Sequence, residues 1–274
     1  MEVGNGRVLL VTSRSDNLTD VTASNILFRF KDSIDTWSEE EIYERLGQPQ
    51  KEEIITIFGS TLGKSAPAYV VKPCFLLNPQ FLSDEVVLVD FGCAFPSDSP
   101  PSNPDDIGLT MSYSAPEVIF DSKLSAHYSD IWALGCVLFE IRSGAQLFGD
   151  WVGTKDDILR QMVQALGILP EPWWTAWENR CLFFDDDGEP RKTWDDGIVR
   201  ACKFELDEMI ADIGAEDEED EGPERNCAVM LEPTGVKVPE EEASQMKDLL
   251  GKILKWKPEE RISIKEIIDH RWLL

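Results

Sequence analysis

Apolar positions recur at different spacings along the 274 residues, and the spacing predicts the elements. Arg7-Val8-Leu9-Leu10-Val11-Thr12 has the pattern of a short strand, and Asn25-Ile26-Leu27-Phe28-Arg29-Phe30 reads as a strand with apolar residues on both faces. Residues 31–47 read as a short amphipathic helix, with Ser38 as cap and Glu41 three residues on completing a capping box. Residues 48–83 are broken by Gly and Pro and read as a looping insertion. Val86-Val87-Leu88-Val89 is a β-branched run expected to form a buried strand leading straight into Asp90-Phe91-Gly92. Residues 95–108 carry Pro, Ser, Asp and Asn and read as an extended polar loop.

The second half is dominated by helical spacing. Residues 129–142 are apolar on every side from Ile131 to Phe139, which predicts a helix buried all round, capped by Ser129 or Asp130. Trp132, Leu134 and Leu138 are expected to be nearly inaccessible there. Residues 156–166 form an amphipathic helix stopped by Gly167 and Pro170. Residues 168–200, with four Trp among Pro and Asp, read as ordered irregular structure. Residues 205–224 hold eleven acids and no base and read as an acidic loop with a mobile centre. Two final helices are expected at 240–254 and at 263 to about 271.

Composition narrows the function. The chain has 52 Asp and Glu against 26 Lys and Arg, a net charge of −26 and a pI near 4.3. Such a field repels phosphate backbones and anionic lipid, and it attracts a basic protein or peptide; keeping the chain soluble is the simpler use of the same charge. No apolar run reaches the roughly 18–20 residues a membrane helix needs, and the start lacks a secretory pattern. Six scattered Cys without a Cys-x-x-Cys pair, and only His127 and His270, argue against a zinc site and suit reduced thiols in an intracellular protein of cytoplasm or nucleus.

Five pieces stand in order: residues 18–25, Leu-Thr-Asp-Val-Thr-Ala-Ser-Asn; Asp90-Phe91-Gly92; Ser114-Ala115-Pro116-Glu117; Ser129-Asp130-Ile131-Trp132-Ala133-Leu134-Gly135; and Lys257-Pro258-Glu259-Glu260-Arg261-Ile262. Each is weak alone; in this order, with the apolar helix after Ala-Pro-Glu, they make the chain resemble the C-terminal lobe of a eukaryotic protein kinase. The resemblance implies a mainly α member of an α+β family, a kinase-like lobe with a small early β ribbon and a buried central helix. Residues 1–17 stay unassigned and residues 18–274 form the lobe: catalytic loop 18–25, insertion 31–85, activation segment 90–117 and helical core 118–274.

By the same resemblance, Asp20 orients the substrate hydroxyl, Asn25 and Asp90 hold Mg²⁺ against the phosphates of ATP, and Leu27 lies under the adenine ring. Phe91 would pack into the core and set Asp90. Thr110 would sit beside the catalytic aspartate and favour Ser/Thr substrates. Glu117 and Arg261 would form a buried ion pair, and Asp130 would hold the catalytic-loop backbone. A solvated loop acid is the other reading of Asp20. The insertion, with Ser33-Ile34-Asp35 and Ser38-Glu39-Glu40-Glu41-Ile42-Tyr43, and the Leu166-Gly167-Ile168-Leu169-Pro170 stretch are similar to fungal kinases related to the SR-protein kinases. That kinship implies a protein substrate, basic and Arg/Ser-rich.

The chain also departs from the pattern. Leu18 stands where the family has His, and Thr22 where Ser/Thr kinases carry a Lys on the γ-phosphate, a loss that should slow transfer. Only 19 residues precede Asp20 and no Val-Ala-x-Lys occurs, so the nucleotide lobe is expected to be missing and Mg-ATP to bind weakly. Two functions stay open: a Ser/Thr kinase, or a pseudokinase-like lobe that binds peptides and transfers nothing.

Overall fold

The computed structural model describes residues 16–17, 21–31, 34–56, 63, 65–72, 81–96, 110–121, 126–149, 153–191, 201–215 and 236–274. They fall into two compact units, one from residues 27–87 and the other from residues 10–26 and 88–274.

The smaller unit is built from two ribbons and one helix. Strand β2 (Ile26–Phe30) pairs with β5 (Leu82–Leu88) in a two-stranded sheet, so β5 is only half covered, not buried as its β-branched run predicts. A two-stranded ribbon has no second layer to cover its faces. Helix α1 (Glu39–Leu46) starts at Ser38, whose hydroxyl accepts from the Glu41 N–H while the Glu41 carboxylate accepts from the Ser38 N–H. That box sets the start eight residues later than the expected residue 31, and residues 34–36 make a 3₁₀ turn instead. Trp37 packs edge-on against Phe30 and Phe81, with the Arg45 guanidinium 4.3 Å above its ring. The expected looping insertion contains a hairpin: β3 (Lys51–Glu53) pairs antiparallel with β4 (Tyr69–Val71).

In the larger unit, β1 (Asp16–Asn17) pairs with β6 (Phe95–Pro96). Helix α2 (Pro116–Asp121) precedes α3 (Ala126–Ser143), the core axis. Trp132 and Val137 on α3 have no exposed surface, and Trp132 stacks on Phe148 and Trp256. Leu134 is buried too, whereas Leu138 is only partly covered, because it packs at the margin of the core. Ser129 lies inside α3 and is no cap, since its hydroxyl turns inward to a buried carboxylate described below. Helix α7 (Glu240–Ile253) crosses α3 at Gly135, where a Cβ would stand 2.5 Å from Ile253 Cγ2.

Helix α4 (Lys155–Leu166) is capped by the Thr154 hydroxyl and ends at Gly167, at φ +85°. Its Asp156 carboxylate accepts from Trp177 Nε1 at 2.7 Å, tying it to α5 (Trp173–Ala176) and the aromatic cluster of Trp174, Trp177, Phe183 and Phe184. The acidic stretch starts as a helix, not a loop: Glu205 and Glu208 form a capping box on α6 (Leu206–Ala211), which buries Leu206 and Ile210 one turn apart. Its centre lies outside the described residues, as does the expected strand at 7–12. Helix α8 (Ile264–Ile268) closes the chain behind its own Ser263–Glu266 box.

Candidate functional site

Two backbone turns of the larger unit meet at the predicted metal ligands. Residues 23–25 form a 3₁₀ turn whose Asn25 N–H donates to the Thr22 carbonyl, and the Asn25 carbonyl accepts from the Val89 N–H at 2.9 Å. Asn25 is thereby bonded to the residue just before Asp90. Asp90 adopts the left-handed conformation (φ 61°, ψ 66°), rare for a side chain with a Cβ, and its exposed carboxylate accepts from the Gly92 N–H. Such strain persists where the surroundings impose it, often at functional sites. Asp90 and Asn25 would offer Mg²⁺ one carboxylate and one carboxamide oxygen, hard donors of the kind that cation takes. Among the described residues no three His, Cys, Asp or Glu side chains converge.

Other predicted site residues sit as follows. Phe91 is 52% exposed rather than packed in the core. It begins a single 3₁₀ turn closed by the local Ala94 N–H to Phe91 carbonyl bond, and its ring is not part of the core cluster. Leu27 is half exposed on β2 of the smaller unit. Thr110 is exposed, and its carbonyl accepts from the Ser114 hydroxyl. Asp130 is partly buried in the first turns of α3. Asp20, with Leu18, lies outside the described residues. Thr22 is buried and its hydroxyl bonds Ser24.

Glu117 and Arg261, 144 residues apart, are brought together in the core. Arg261 Nη1 and Nη2 donate to Glu117 Oε1 and Oε2, each at 2.7 Å. The guanidinium also reaches the carbonyls of Tyr128, Lys255 and Trp256, and lies 5.0 Å over the Trp132 ring. Ser129 donates to Glu117 Oε1. The pair bolts α2 to the start of α3 and to the chain before α8.

A second junction went unread in the sequence. The Tyr113 hydroxyl donates to Glu140 Oε2 on α3 and accepts from Gln146 Nε2, whose own Oε1 takes the Ser112 hydroxyl. Burial first, then the bond to Glu140, pushes the Tyr113 phenol well above its usual range, so it stays a neutral donor. The one available signal was Glu140 itself, an acid directly after the apolar run from Ile131 to Phe139.

A cleft of about 360 Å³ opens beside the C-terminal end of α4, with Val163, Leu166 and Phe184 in its wall and Asp187, Glu189 and Glu205 among its lining. Lys203, also in the lining, is paired to Glu189 at 2.8 Å.

Comparison with known proteins agrees on one family. The protein kinase domain matches residues 74–273, which takes in Asp90, Thr110, Glu117, Asp130 and Arg261 but not Asp20, Asn25 or Leu27. A serine/threonine-protein kinase SRPK of Physarum polycephalum is 26% identical over 173 residues, 62% of this chain and 34% of that protein. The dual specificity protein kinase CLK1 of Mus musculus is 29% identical, covering 70% of this chain and 35% of its own length. A probable serine/threonine-protein kinase sky1 of Dictyostelium discoideum is 28% identical, covering 68% and 24%. The chain thus spans about a third or less of these curated relatives.

Proposed function

Since the chain belongs to the protein kinase family, we propose that it serves phosphoryl transfer from ATP to Ser or Thr of a protein, in the manner of the SR-protein kinases. The observation that carries this is the Val89–Asn25 bond, which sets Asn25 beside an exposed Asp90 held in a left-handed turn. These two residues would hold Mg²⁺, which when bound offsets charge on the phosphates. Asp20 would accept the proton of the attacking hydroxyl, and Thr110 would help place that residue. Glu117–Arg261 and Tyr113–Glu140 tie residues 113–117 to α3 and to the chain before α8.

The substrate class follows from charge. With a net −26, and with Asp187 and Glu205 in a cleft whose Glu189 is already paired to Lys203, the chain suits a basic, Arg/Ser-rich partner. Fluorescence anisotropy should show an Arg-Ser repeat peptide binding better than a Lys/Glu-scrambled control, weakening with salt, and weakening further with Asp187→Lys. Equal binding of both peptides would leave the charge as a solubility feature.

A second reading, a peptide-binding lobe without transfer, is favoured by Thr22. A buried threonine bonded to Ser24 stands where a phosphate-contacting lysine is usual. The experiment that separates them is transfer of labelled phosphate to the Arg-Ser peptide at saturating Mg-ATP. The kinase reading expects transfer that Asp90→Asn lowers by about 100-fold or more. Peptide binding without transfer selects the second reading, and transfer unaffected by Asp90→Asn removes the site assignment.

A further inference from the structure

The Tyr113 hydroxyl stands where four stretches of the larger unit meet. Its own stretch, residues 110–114, closes on itself. The Tyr113 N–H donates to the Thr110 carbonyl at 3.1 Å, the Ser114 N–H to the Met111 carbonyl at 3.0 Å, and the Ser114 hydroxyl to the Thr110 carbonyl at 3.2 Å. Bonds of that span shape a turn without placing it. Placement comes from side chains. The Tyr113 hydroxyl donates to Glu140 Oε2 on α3 at 2.5 Å and accepts from Gln146 Nε2, beyond the end of α3, at 3.3 Å. A backbone bond from Ala23, in the 3₁₀ turn that ends at Asn25, reaches the same phenol and favours its ionised form, so it is the N–H that faces the oxygen.

The direction of each bond is set by what its neighbours can give. Gln146 Oε1 accepts from the Ser112 hydroxyl, which turns Nε2 toward Tyr113 as a donor. The Ala23 N–H can only donate. A phenol has one proton, and Glu140, as a carboxylate, can only accept it. Tyr113 is 8% exposed and Glu140 partly buried, so water competes little for this charge-assisted bond.

In sequence, Ala23 lies between Asp20 and Asn25, and Tyr113 follows Thr110 by three residues. We propose that Tyr113 is a positioning residue: across Glu140, its hydroxyl locks residues 110–114 to turn 23–25, so that the segment placing the acceptor keeps one position relative to Asn25 and Asp90. Its part in phosphoryl transfer rests on the kinase reading, whereas the lock itself is a property of the fold. Transfer is sensitive to such a lock because the attacking hydroxyl must be held in line with the phosphate.

Tyr113→Phe keeps the ring and removes the proton. Hydrogen exchange on the whole chain, with neither nucleotide nor peptide, tests the lock. Segments covering 110–115 and 21–26 should both exchange about tenfold faster or more, while α7 keeps its wild-type rate. Glu140→Gln, which retains an acceptor oxygen, should leave both segments near wild type, and Glu140→Leu should reproduce Tyr113→Phe. Faster exchange confined to 110–115, or Glu140→Gln exchanging as fast as Glu140→Leu, would overturn the proposal. Steady-state kinetics tests the role. Tyr113→Phe should lower kcat/KM for the Arg-Ser peptide about 10- to 100-fold and raise the peptide KM, with the KM for Mg-ATP within about twofold of wild type. Loss of folded enzyme lowers kcat alone, so an unchanged peptide KM would also overturn it. A wild-type chain that transfers no phosphate removes the kinase reading, and exchange at 21–26 then decides the lock by itself.

Discussion

Replacing Arg261 by Met leaves a carboxylate in the core with almost nothing to neutralise it. The Glu117 side chain is 4% exposed and that of Arg261 is fully covered, so water cannot take over. The substitution removes both 2.7 Å charge-assisted bonds and the bonds to three backbone carbonyls, leaving Glu117 the Ser129 hydroxyl. Breaking a buried pair from one side costs about 3–5 kcal/mol, because the remaining charge keeps its desolvation penalty and loses its partner. Total stability for a domain is about 5–15 kcal/mol, so this single change should consume a large part of it. The double variant Glu117→Leu with Arg261→Met removes both charges and should recover most of the loss. Urea unfolding followed by tryptophan fluorescence measures both, since Trp132 and Trp256 flank the guanidinium. A single-variant loss under about 1 kcal/mol, or a double variant as unstable as the sum of the singles, would refute the reasoning.

The remaining expectations can be checked with the same unfolding curves. Leu134→Ala, in the buried wall of α3, should lose about 2–5 kcal/mol. Gly135→Ala should lose about 1–3 kcal/mol, because its Cβ would meet Ile253 Cγ2 at 2.5 Å and force α7 off α3. Gly214→Ala combines φ +77° with a Cβ 2.1 Å from the Val236 carbonyl oxygen, and a change within about 0.5 kcal/mol of wild type would contradict that geometry. Ser263→Ala should cost about 1 kcal/mol through the lost capping box of α8, read as a shift in the urea midpoint.

Local elements were legible wherever a short-range physical rule decides them. The Ser38–Glu41 box, the stop at Gly167 and the all-round apolar run of α3 each rest on residues within a turn or two of one another, and the structure has them. Rules of that range also misled. Acid content hid α6, whose Leu206 and Ile210 are bound into the core by a spacing that net charge does not reveal, and a β-branched run made β5 look buried when its sheet has two strands. Ser129 has the chemistry of a cap, but a carboxylate twelve residues earlier claims its hydroxyl. Sequence by itself singled out Asn25, Asp90, Glu117 and Arg261 as residues of one ordered set of motifs. What only the tertiary structure decided is where they meet: the backbone bond joining Asn25 to Val89, the bidentate pair spanning 144 residues, and Tyr113 against Glu140. Those contacts depend on burial and on the crossing of α3 with its neighbours, which are properties of the packed chain and of no window along it.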